Sequence, residues 1–259
     1  MKLQDRVAVV TGGTRGIGRG LTEAFLAEGA SVLMAGRSDE KGKRALDELD
    51  AGPKASFRSC DVRSRDGVEA LIDSAVEQFG RIDILVNNAG GSDGFARIHE
   101  LSDEAWDKAM DLNVNSAFWA TRSAVKHMLP QRFGRIINMS SVESKLGNKA
   151  MVSHYITSKH ALNGLTKATA FEYGTDGITC NALCPGAIET DLMRDVGPGF
   201  AAENNMTYDE YKQNYAQEAA IKRLNTVEEV AAMAVLLASD VGGGITGALI
   251  NVDGGTAPY

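Results

Sequence analysis

Residues 7–18 read VAVVTGGTRGIG, and this stretch decides the fold class of the chain. A short β-branched apolar run leads into four glycines within seven residues, and a helical pattern follows to about residue 28. Strand, glycine-rich turn and helix together are typical of a phosphate-binding loop, because glycines let the backbone approach an anion and a helix N-terminus offers free N–H groups. The alternative is a plain turn before a helix, which so many glycines directly after a strand disfavour.

The rest of the chain repeats this alternation of strand and helix. The predicted strands lie at 7–10, 31–35, 55–59, 82–86, 135–138, 178–183 and 248–252, with six helices between them. The last helix, at 226–239, opens with a capping box from Thr226 to Glu229. A near-continuous apolar strand such as 82–86 is typical of a parallel sheet that is buried on both faces. We therefore predict an α/β fold over residues 1–259, a single doubly wound, Rossmann-type domain with a seven-stranded parallel sheet flanked by helices on both faces.

Two segments depart from this pattern. A long helix at 103–129, which we expect Pro130 to stop, contains Asn113 and Asn115. Asparagine competes for backbone hydrogen bonds in helix interiors, so this pair predicts a local distortion or a polar task. Residues 188–217 show little periodicity before Tyr208, and a long irregular insertion in a compact domain usually has a function. We predict a substrate lid there; a disordered or oligomer-contacting loop is the alternative.

Composition limits the partners. The chain has 259 residues, 44% hydrophobic and 24% charged, and its net charge of -7 argues against nucleic acid or an anionic membrane. No apolar stretch reaches the roughly 18 residues of a membrane span, and no secretory leader is visible, so we expect a cytoplasmic protein. Cys60, Cys180 and Cys184 lie in apolar or strand-like contexts without a neighbouring histidine, which predicts buried thiols and no metal site.

The end of the second strand indicates which dinucleotide would bind. An acidic residue at this point holds a ribose diol, whereas arginine accommodates a 2′-phosphate. Arg37 stands here, and Arg15 in the glycine loop could help it to clamp a phosphate, with Ser38 adding a hydroxyl. Asp39 is a less favoured ribose ligand, because it suits the start of the next helix. We predict NADP(H), with NAD(H) as the alternative. A third possibility is that the two arginines are solvated surface residues that bind no cofactor.

Polar residues at other strand ends complete the candidate site. Asp61 follows the third strand and could reach an adenine edge or cap a helix, and Ser141 follows the fifth strand. Tyr155 and Lys159 lie one turn apart on the helix predicted at 152–173. A nearby ammonium group favours phenolate, which makes Tyr155 a candidate general acid and base. Such a pair taken alone is common on helices.

Taken together, these motifs resemble the short-chain dehydrogenase/reductase family over essentially the whole chain. The resemblance rests on the glycine loop from Gly12, residues 87–90 (NNAG), Asn113, residues 140–141 (SS), the Tyr155–Lys159 pair and residues 185–186 (PG). The resemblance implies that Tyr155 exchanges the proton, that Lys159 lowers the pKa of Tyr155 and holds the nicotinamide ribose, that Ser141 binds the substrate oxygen, and that Asn113 anchors a relay water. Those four residues form the predicted catalytic set.

The predicted binding residues come from the motifs and from the resemblance. The cofactor residues are Gly12, Thr14, Arg15, Gly16, Ile17, Gly18, Arg37, Ser38, Asp61, Val62, Asn88, Ala89, Gly90, Tyr155, Lys159, Pro185, Gly186, Ile188 and Thr190. The predicted substrate pocket contains Ser141, Glu143, Ala187 and Met193, with Asp93, Phe95 and Phe200 near it. No metal is expected.

The leading hypothesis is an NADP(H)-dependent enzyme that transfers a hydride between nicotinamide and a ketone, an aldehyde or a secondary alcohol. The alternatives are an NAD-dependent alcohol or hydroxy-acid dehydrogenase, a 3-oxoacyl-carrier-protein reductase, and a catalytically silent nucleotide-sensing protein. Phe171 stands where carrier-protein reductases often have a docking arginine, and Glu143 stands where hydroxybutyrate dehydrogenases place basic groups. The resemblance also implies a homotetramer or a dimer, built through the helices at 103–129 and 155–173.

Overall fold

The computed structural model describes residues 1–257, apart from the side chain of Leu192, and contains one seven-stranded sheet. Its strands are β1 (Val7–Thr11), β2 (Ser31–Gly36), β3 (Ala55–Ser59), β4 (Ile84–Asn87), β5 (Gly134–Met139), β6 (Ile178–Pro185) and β7 (Leu249–Val252). All are parallel, in the order β3-β2-β1-β4-β5-β6-β7. The predicted doubly wound fold is confirmed, and the strand order reverses between β1 and β4, where such sheets bind ligands.

Within the described residues the strands alternate with nine α-helices, so the prediction of six is wrong. The helices are α1 (Gly16–Ala27), α2 (Asp39–Leu49), α3 (Arg65–Phe79), α4 (Asp103–Met110), α5 (Ser116–Gln131), α6 (Ser153–Tyr173), α7 (Asp191–Glu203), α8 (Tyr208–Glu218) and α9 (Val227–Ala238). The predicted capping box at Thr226 and Glu229 is present at the start of α9. No helix in this part of the chain is both long and apolar enough to cross a membrane.

The sheet is buried on both faces, as its apolar strands predict. Val10 belongs to a cluster formed with α1 and α9, whereas its neighbour Val9 belongs to a second cluster formed with α3 and α5. Successive side chains of a strand point to opposite faces, so β1 contributes to both cores. All five residues of β1 are buried, and the strand therefore fixes the position of the loop that follows it.

The long helix predicted at 103–129 is interrupted, which confirms the distortion expected from its asparagines. Asp111–Asn115 form a π-helical segment between α4 and α5, in which the N–H of Ser116 donates to the carbonyl of Asp111. The expectation that Pro130 stops the helix is wrong by one residue. Pro130 lies in the last turn of α5, which ends at Gln131 because Arg132 adopts a left-handed conformation with φ of 49°.

The segment 188–217 is not irregular, and that part of the prediction is wrong. It contains α7 and most of α8, and each helix has its own N-cap. Thr190 accepts a hydrogen bond from the N–H of Met193, and Thr207 forms a capping box with Glu210. The two helices pack on each other instead of lying flat on the sheet, and Pro198 falls inside α7.

The three cysteines, Cys60, Cys180 and Cys184, are all buried and unpaired. Burial raises the pKa of each thiol, that of Cys180 to about 12. The predicted buried thiols are thereby confirmed.

Candidate active site

The glycine loop is joined to the end of β4 by hydrogen bonds. The hydroxyl of Thr11 accepts from the backbone N–H groups of Asn88 and Ala89, both at 3.0 Å, and the Asn88 amide donates to the carbonyl of Thr11 at 2.9 Å. A Cβ added to Gly18 would overlap the carbonyl oxygen of Gly12, so glycine is required for this close approach. These contacts bring the two strand ends at the switch point together.

The N-terminus of α1 already receives an anionic group from the protein itself. The N–H of Gly16 donates to a carboxylate oxygen of Asp191 at 3.0 Å, and the guanidinium of Arg15 lies 3.7 Å from the carboxylate of Asp195. Both carboxylates belong to α7. A helix N-terminus favours negative charge through its free N–H groups and its dipole. The glycine loop therefore fits a dinucleotide phosphate, which would meet the same donors.

The predicted specificity residues lie at the carboxyl ends of β2 and β3. Arg37 is exposed, and the hydroxyl of Ser38 caps α2 by accepting from the N–H of Lys41 at 3.2 Å. Asp61 does not cap α3, since Ser64 does so, and it forms an ion pair with Arg63 at 2.6 Å instead. The Arg63 guanidinium lowers the pKa of Asp61 by hydrogen bonding, against the opposing effect of burial.

Tyr155 and Lys159 lie on α6, as predicted, with the ammonium nitrogen 5.6 Å from the centre of the tyrosine ring. The ammonium group is buried and donates to the carbonyl of Met139 at 2.7 Å, which fixes it beneath the end of β5. Burial lowers the pKa of Lys159 from 10.5 to about 8. Among the described residues, no carboxylate forms a hydrogen bond with the Lys159 ammonium group.

The pKa of Tyr155 is raised, which differs from the expectation that Lys159 lowers it. Burial of the phenol is the largest cause; a hydrogen bond with Ser141 lowers the pKa, the Glu143 carboxylate raises it, and Lys149 lowers it. The desolvation of the phenol outweighs the Ser141 hydrogen bond and the charge of Lys149 in this arrangement. Tyr155 is therefore protonated at neutral pH.

Asn113 lies in the π-helical segment, and its side chain points toward the backbone that follows β4. Its side-chain amide donates to the carbonyl of Gly91 at 2.8 Å and to the hydroxyl of Ser158 at 3.1 Å, and its oxygen accepts from the N–H of Gly91 at 3.0 Å. A Cβ added to Gly90 would lie 2.8 Å from this oxygen and 3.0 Å from the Lys159 nitrogen. Asn113 therefore fixes the backbone after β4 at Gly91, and the Lys159 ammonium lies close to Gly90.

A cavity of about 110 Å³ opens beside this group. Ser141, Glu143 and Ala187, three of the four predicted pocket residues, line it, and Met193 is absent from its lining. Ser141 caps a short 3₁₀ turn and accepts from the N–H of Glu143 at 3.1 Å, which sets both side chains on one tight bend. The remaining lining residues are Val142, Lys149, Gly186, Tyr215, Glu218 and Thr256.

Val142, Glu218 and Thr256 escaped the sequence reasoning, whereas Gly186 was predicted as a cofactor residue and Tyr215 lies in the predicted lid. Tyr215 and Glu218 lie on α8, and Thr256 follows β7 near the end of the described chain. They reach the cavity only because the chain after β6 folds back over the sheet. The one usable signal was Lys149, a cation close to Glu143 in sequence, and the two form an ion pair at 3.2 Å.

The last cofactor residues predicted from the resemblance occupy the entry to α7. The N–H of Gly186 donates to the carbonyl of Val252 at 3.1 Å, and Ile188 is buried with the core. Thr190 lies against the glycine loop, since a Cβ added to Gly16 would be 3.6 Å from the Thr190 Cβ. Val62 is also buried, in the core cluster that α3 and α5 form with the sheet.

A doubly wound sheet, a glycine loop at its switch point and a tyrosine–lysine pair beside it define a dinucleotide-dependent oxidoreductase. The sequence profile of a family described as enoyl-(acyl-carrier-protein) reductase matches residues 12–257. The chain belongs to the short-chain dehydrogenase/reductase family, whose members transfer hydride between a nicotinamide and a carbonyl or alcohol carbon.

Similar proteins cover the chain from end to end. A 3beta-hydroxysteroid dehydrogenase from Mediterraneibacter gnavus is 37% identical over 269 residues, covering 100% of this chain and 97% of that protein. A 3-oxoacyl-(acyl-carrier-protein) reductase from Chlamydia muridarum is 33% identical over 98% of both chains. The crystal structure of an actinorhodin polyketide ketoreductase variant with NADPH superposes with a TM-score of 0.93 at 36% identity, over 100% of both chains.

Proposed function

We propose that this chain is an NADP(H)-dependent carbonyl reductase and alcohol dehydrogenase in which Tyr155 is the general acid and base. One observation carries the proposal: the buried Lys159 ammonium lies one turn from Tyr155, and the Ser141 hydroxyl acts on the same phenol from the end of β5. All three groups lie at the carboxyl edge of the sheet, beside the glycine loop.

Each of the four residues then has a chemical role. The bound nicotinamide supplies or accepts the hydride. During reduction, negative charge develops on the substrate oxygen, where Ser141 donates a hydrogen bond and Tyr155 donates its proton. The raised pKa of Tyr155 keeps that proton in place at neutral pH. Lys159 supplies a positive charge beneath the site, and Asn113 fixes the backbone at Gly91, next to the predicted nicotinamide position.

The test of this assignment is Tyr155→Phe, which removes only the phenol oxygen. We expect kcat to fall by about 10²–10⁴-fold, the usual contribution of general acid–base catalysis. The Kd for NADPH, measured from NADPH fluorescence, should stay within about twofold of the wild-type value. This corresponds to a change in binding free energy of well under 1 kcal/mol. Turnover at the wild-type rate would refute the role of Tyr155.

We infer a preference for NADP(H) over NAD(H) from the two arginines. Arg37 is exposed at the end of β2, and Arg15, at the start of α1, is half exposed and forms a surface ion pair with Asp195. Arg37→Ala should raise the KM for NADPH about tenfold or more while the KM for NADH stays nearly constant, since a charge-assisted hydrogen bond contributes about 1.5–3 kcal/mol. A larger effect on NADH would support the NAD(H) alternative.

The helices α7 and α8 are the proposed substrate lid, over residues 188–217. Contacts at both ends of α7 support this role. Asp191 reaches the glycine loop, and Phe200 packs edge-on against Phe95 with ring centres 5.9 Å apart. The similar proteins act on a hydroxysteroid, a carrier-bound acyl group and a polyketide, by their names, which favours a carbonyl substrate for this chain without choosing among them.

A homotetramer, or a dimer, is the proposed assembly. The helices predicted to pair expose large apolar side chains, with Phe171 on α6 93% exposed and Trp106 and Phe118 on α4 and α5 about 40% exposed. Sedimentation at micromolar concentration tests this assembly, and a clean monomer would contradict it.

The exposed Phe171 also argues against carrier-protein docking, the second candidate function. The cytoplasmic location stays a prediction.

A further inference from the structure

Asn163 lies on the same row of α6 as the two candidate catalytic residues of that helix. Tyr155, Lys159 and Asn163 follow one another at intervals of four residues, so their side chains share one face over two turns. Asn163 is 6% exposed and does not line the 110 Å³ cavity. A buried amide needs hydrogen-bond partners at both its ends, and these partners show what Asn163 holds.

Both ends of the Asn163 amide bind the segment that carries Ser141. The amide oxygen accepts from the hydroxyl of Ser140 at 2.8 Å, and the amide nitrogen donates to the carbonyl of Ser144 at 3.3 Å. Ser140 directly precedes Ser141, and Ser144 ends the 3₁₀ turn that Ser141 caps. One side chain of α6 therefore joins the two ends of residues 140–144, which we call the Ser141 turn.

The far end of the Ser141 turn is bonded back to Ser141 itself. The backbone N–H and the hydroxyl of Ser144 both donate to the carbonyl of Ser141, at 3.0 and 2.6 Å. The Ser141 hydroxyl is in turn hydrogen-bonded with the phenol of Tyr155. A displacement of Ser144 would therefore move the Ser141 backbone and, with it, the hydroxyl at the reacting centre.

Other hydrogen bonds already attach α6 to β5. The Asn138 amide donates to the hydroxyl of Thr166 at 2.9 Å, and the Lys159 ammonium donates to the carbonyl of Met139 at 2.7 Å. Both bonds join the helix to the strand itself. The bonds of Asn163 go to the turn that follows the strand, which favours a role in placing that turn over a role in packing the helix.

We propose that Asn163 is a positioning residue, which holds the Ser141 hydroxyl in place for the substrate oxygen. This inference rests on the proposed function, in which Ser141 donates to an oxygen that gains negative charge. Such a donor is effective when it is held in place before the reaction, by residues that are themselves fixed. Because Asn163 and Tyr155 belong to one helix, α6 carries the proton donor and also fixes the hydroxyl that acts beside it.

A double-mutant cycle with Asn163→Ala and Ser141→Ala tests the proposal. The assay follows NADPH oxidation with whichever of ethyl acetoacetate, cyclohexanone and benzaldehyde the wild-type enzyme reduces fastest. We expect kcat to fall by about 10²–10³-fold in Ser141→Ala, which lacks the donor, and by about tenfold in Asn163→Ala, which misplaces it. In the Ser141→Ala background, Asn163→Ala should lower kcat by less than about twofold, because no hydroxyl is left to position.

A second variant keeps the test independent of the space that alanine leaves. Asn163→Asp preserves the size of the side chain and an acceptor for Ser140, but it places an acceptor where the carbonyl of Ser144 needs a donor. We expect kcat to fall by about tenfold or more, again only where Ser141 is present. NADPH fluorescence titration verifies that each variant binds the cofactor.

Asn181→Ala is the matched control. Asn181 is also a buried asparagine, 1% exposed, which donates to the carbonyl of Ile245 at 2.7 Å and accepts from the N–H of Ala248 at 3.0 Å. Both partners precede β7 and lie outside the Ser141 turn. The control loses one donated and one accepted bond, as Asn163→Ala does, and its kcat should stay within about twofold of the wild-type value.

The outcomes separate the two proposals. Equal losses from Asn163→Ala in the wild-type and Ser141→Ala backgrounds, or unchanged kcat in both Asn163 variants, would overturn the role of Asn163 and leave the carbonyl reductase intact. Loss of NADPH binding in both Asn163 variants would do the same, by showing that the amide supports the fold as a whole. If neither the three compounds nor other carbonyl compounds oxidised NADPH or NADH, the proposed function would be overturned, and the role of Asn163 with it.

Discussion

Lys159 is a buried ammonium group whose removal should stabilise the ligand-free protein while abolishing turnover. The side chain is 4% exposed with one hydrogen bond, to the carbonyl of Met139, and its pKa falls from 10.5 to about 8. Burial disfavours its charged form, so the folded protein carries an unfavourable charge at neutral pH. Lys159→Met keeps the length and the apolar stem of the side chain and removes that charge.

The magnitude follows from the pKa shift. A lowering from 10.5 to about 8 corresponds to about 3 kcal/mol of lost stability at pH 7. The unpaired Met139 carbonyl in the variant offsets about 1–2 kcal/mol of the gain. We therefore expect Lys159→Met to be about 1–2 kcal/mol more stable at pH 7, a rise in Tm of about 2–8 °C for a chain of this size.

The pH dependence gives the sharper test, because it does not depend on the lost hydrogen bond. Since the folded pKa lies below the unfolded value, the unfolded state holds more protons between pH 8 and 10.5, and wild-type stability rises with pH through that window. The advantage of the variant over the wild type should therefore shrink by about 2.5 kcal/mol between pH 7 and pH 10.

Urea denaturation and thermal melts of the cofactor-free proteins at these pH values provide the measurement. Lys43→Met, at an exposed position of α2, is the matched control and should change stability little at either pH. The reasoning is refuted if the stability difference between Lys159→Met and the wild type stays constant with pH.

Two further changes test the geometry around the cofactor. Gly90→Ala places a Cβ 2.8 Å from the Asn113 oxygen and 3.0 Å from the Lys159 nitrogen. We expect kcat/KM to fall by about 10²-fold, because the added Cβ would displace the catalytic side chains by about 1 Å. The far-ultraviolet circular dichroism spectrum should stay unchanged. Wild-type kinetics would contradict this geometry. Asp191→Asn removes the carboxylate charge that faces the N–H of Gly16. NADPH should then bind about two- to fivefold more tightly in a fluorescence titration, because its phosphate no longer competes with an anion at the helix terminus, and weaker binding would argue against that competition.

The sheet could be predicted from the sequence because its signals are local. Each strand is a short apolar run that ends at a turn, and the predicted strand ends differ from the observed ones by at most two residues. The interruption of the helix at Asn113 was also predictable, because asparagine conflicts with the helix interior wherever it is placed. These features depend on the residues themselves and little on their tertiary surroundings.

The lid helices and the cavity wall depend on tertiary contacts, and these could not be predicted. The helices α7 and α8 pack on each other where Gly197 of α7 lies against Tyr208 and Tyr211 of α8, whose rings stack with centres 6.4 Å apart. The raised pKa of Tyr155 was missed for a related reason. Sequence spacing places a positive charge one turn away, but it does not report how deeply the phenol is buried.

The burial of all three thiols makes the chain suited to site-specific labelling. Thiolate is the reactive form of cysteine, and the raised pKa values of Cys60, Cys180 and Cys184 keep it scarce at neutral pH. A cysteine introduced at the exposed position Glu203, at the end of α7, would react with a maleimide dye ahead of the native thiols. A single fluorophore per chain could then test whether α7 moves during turnover, as the proposed lid requires, without removal of any native cysteine.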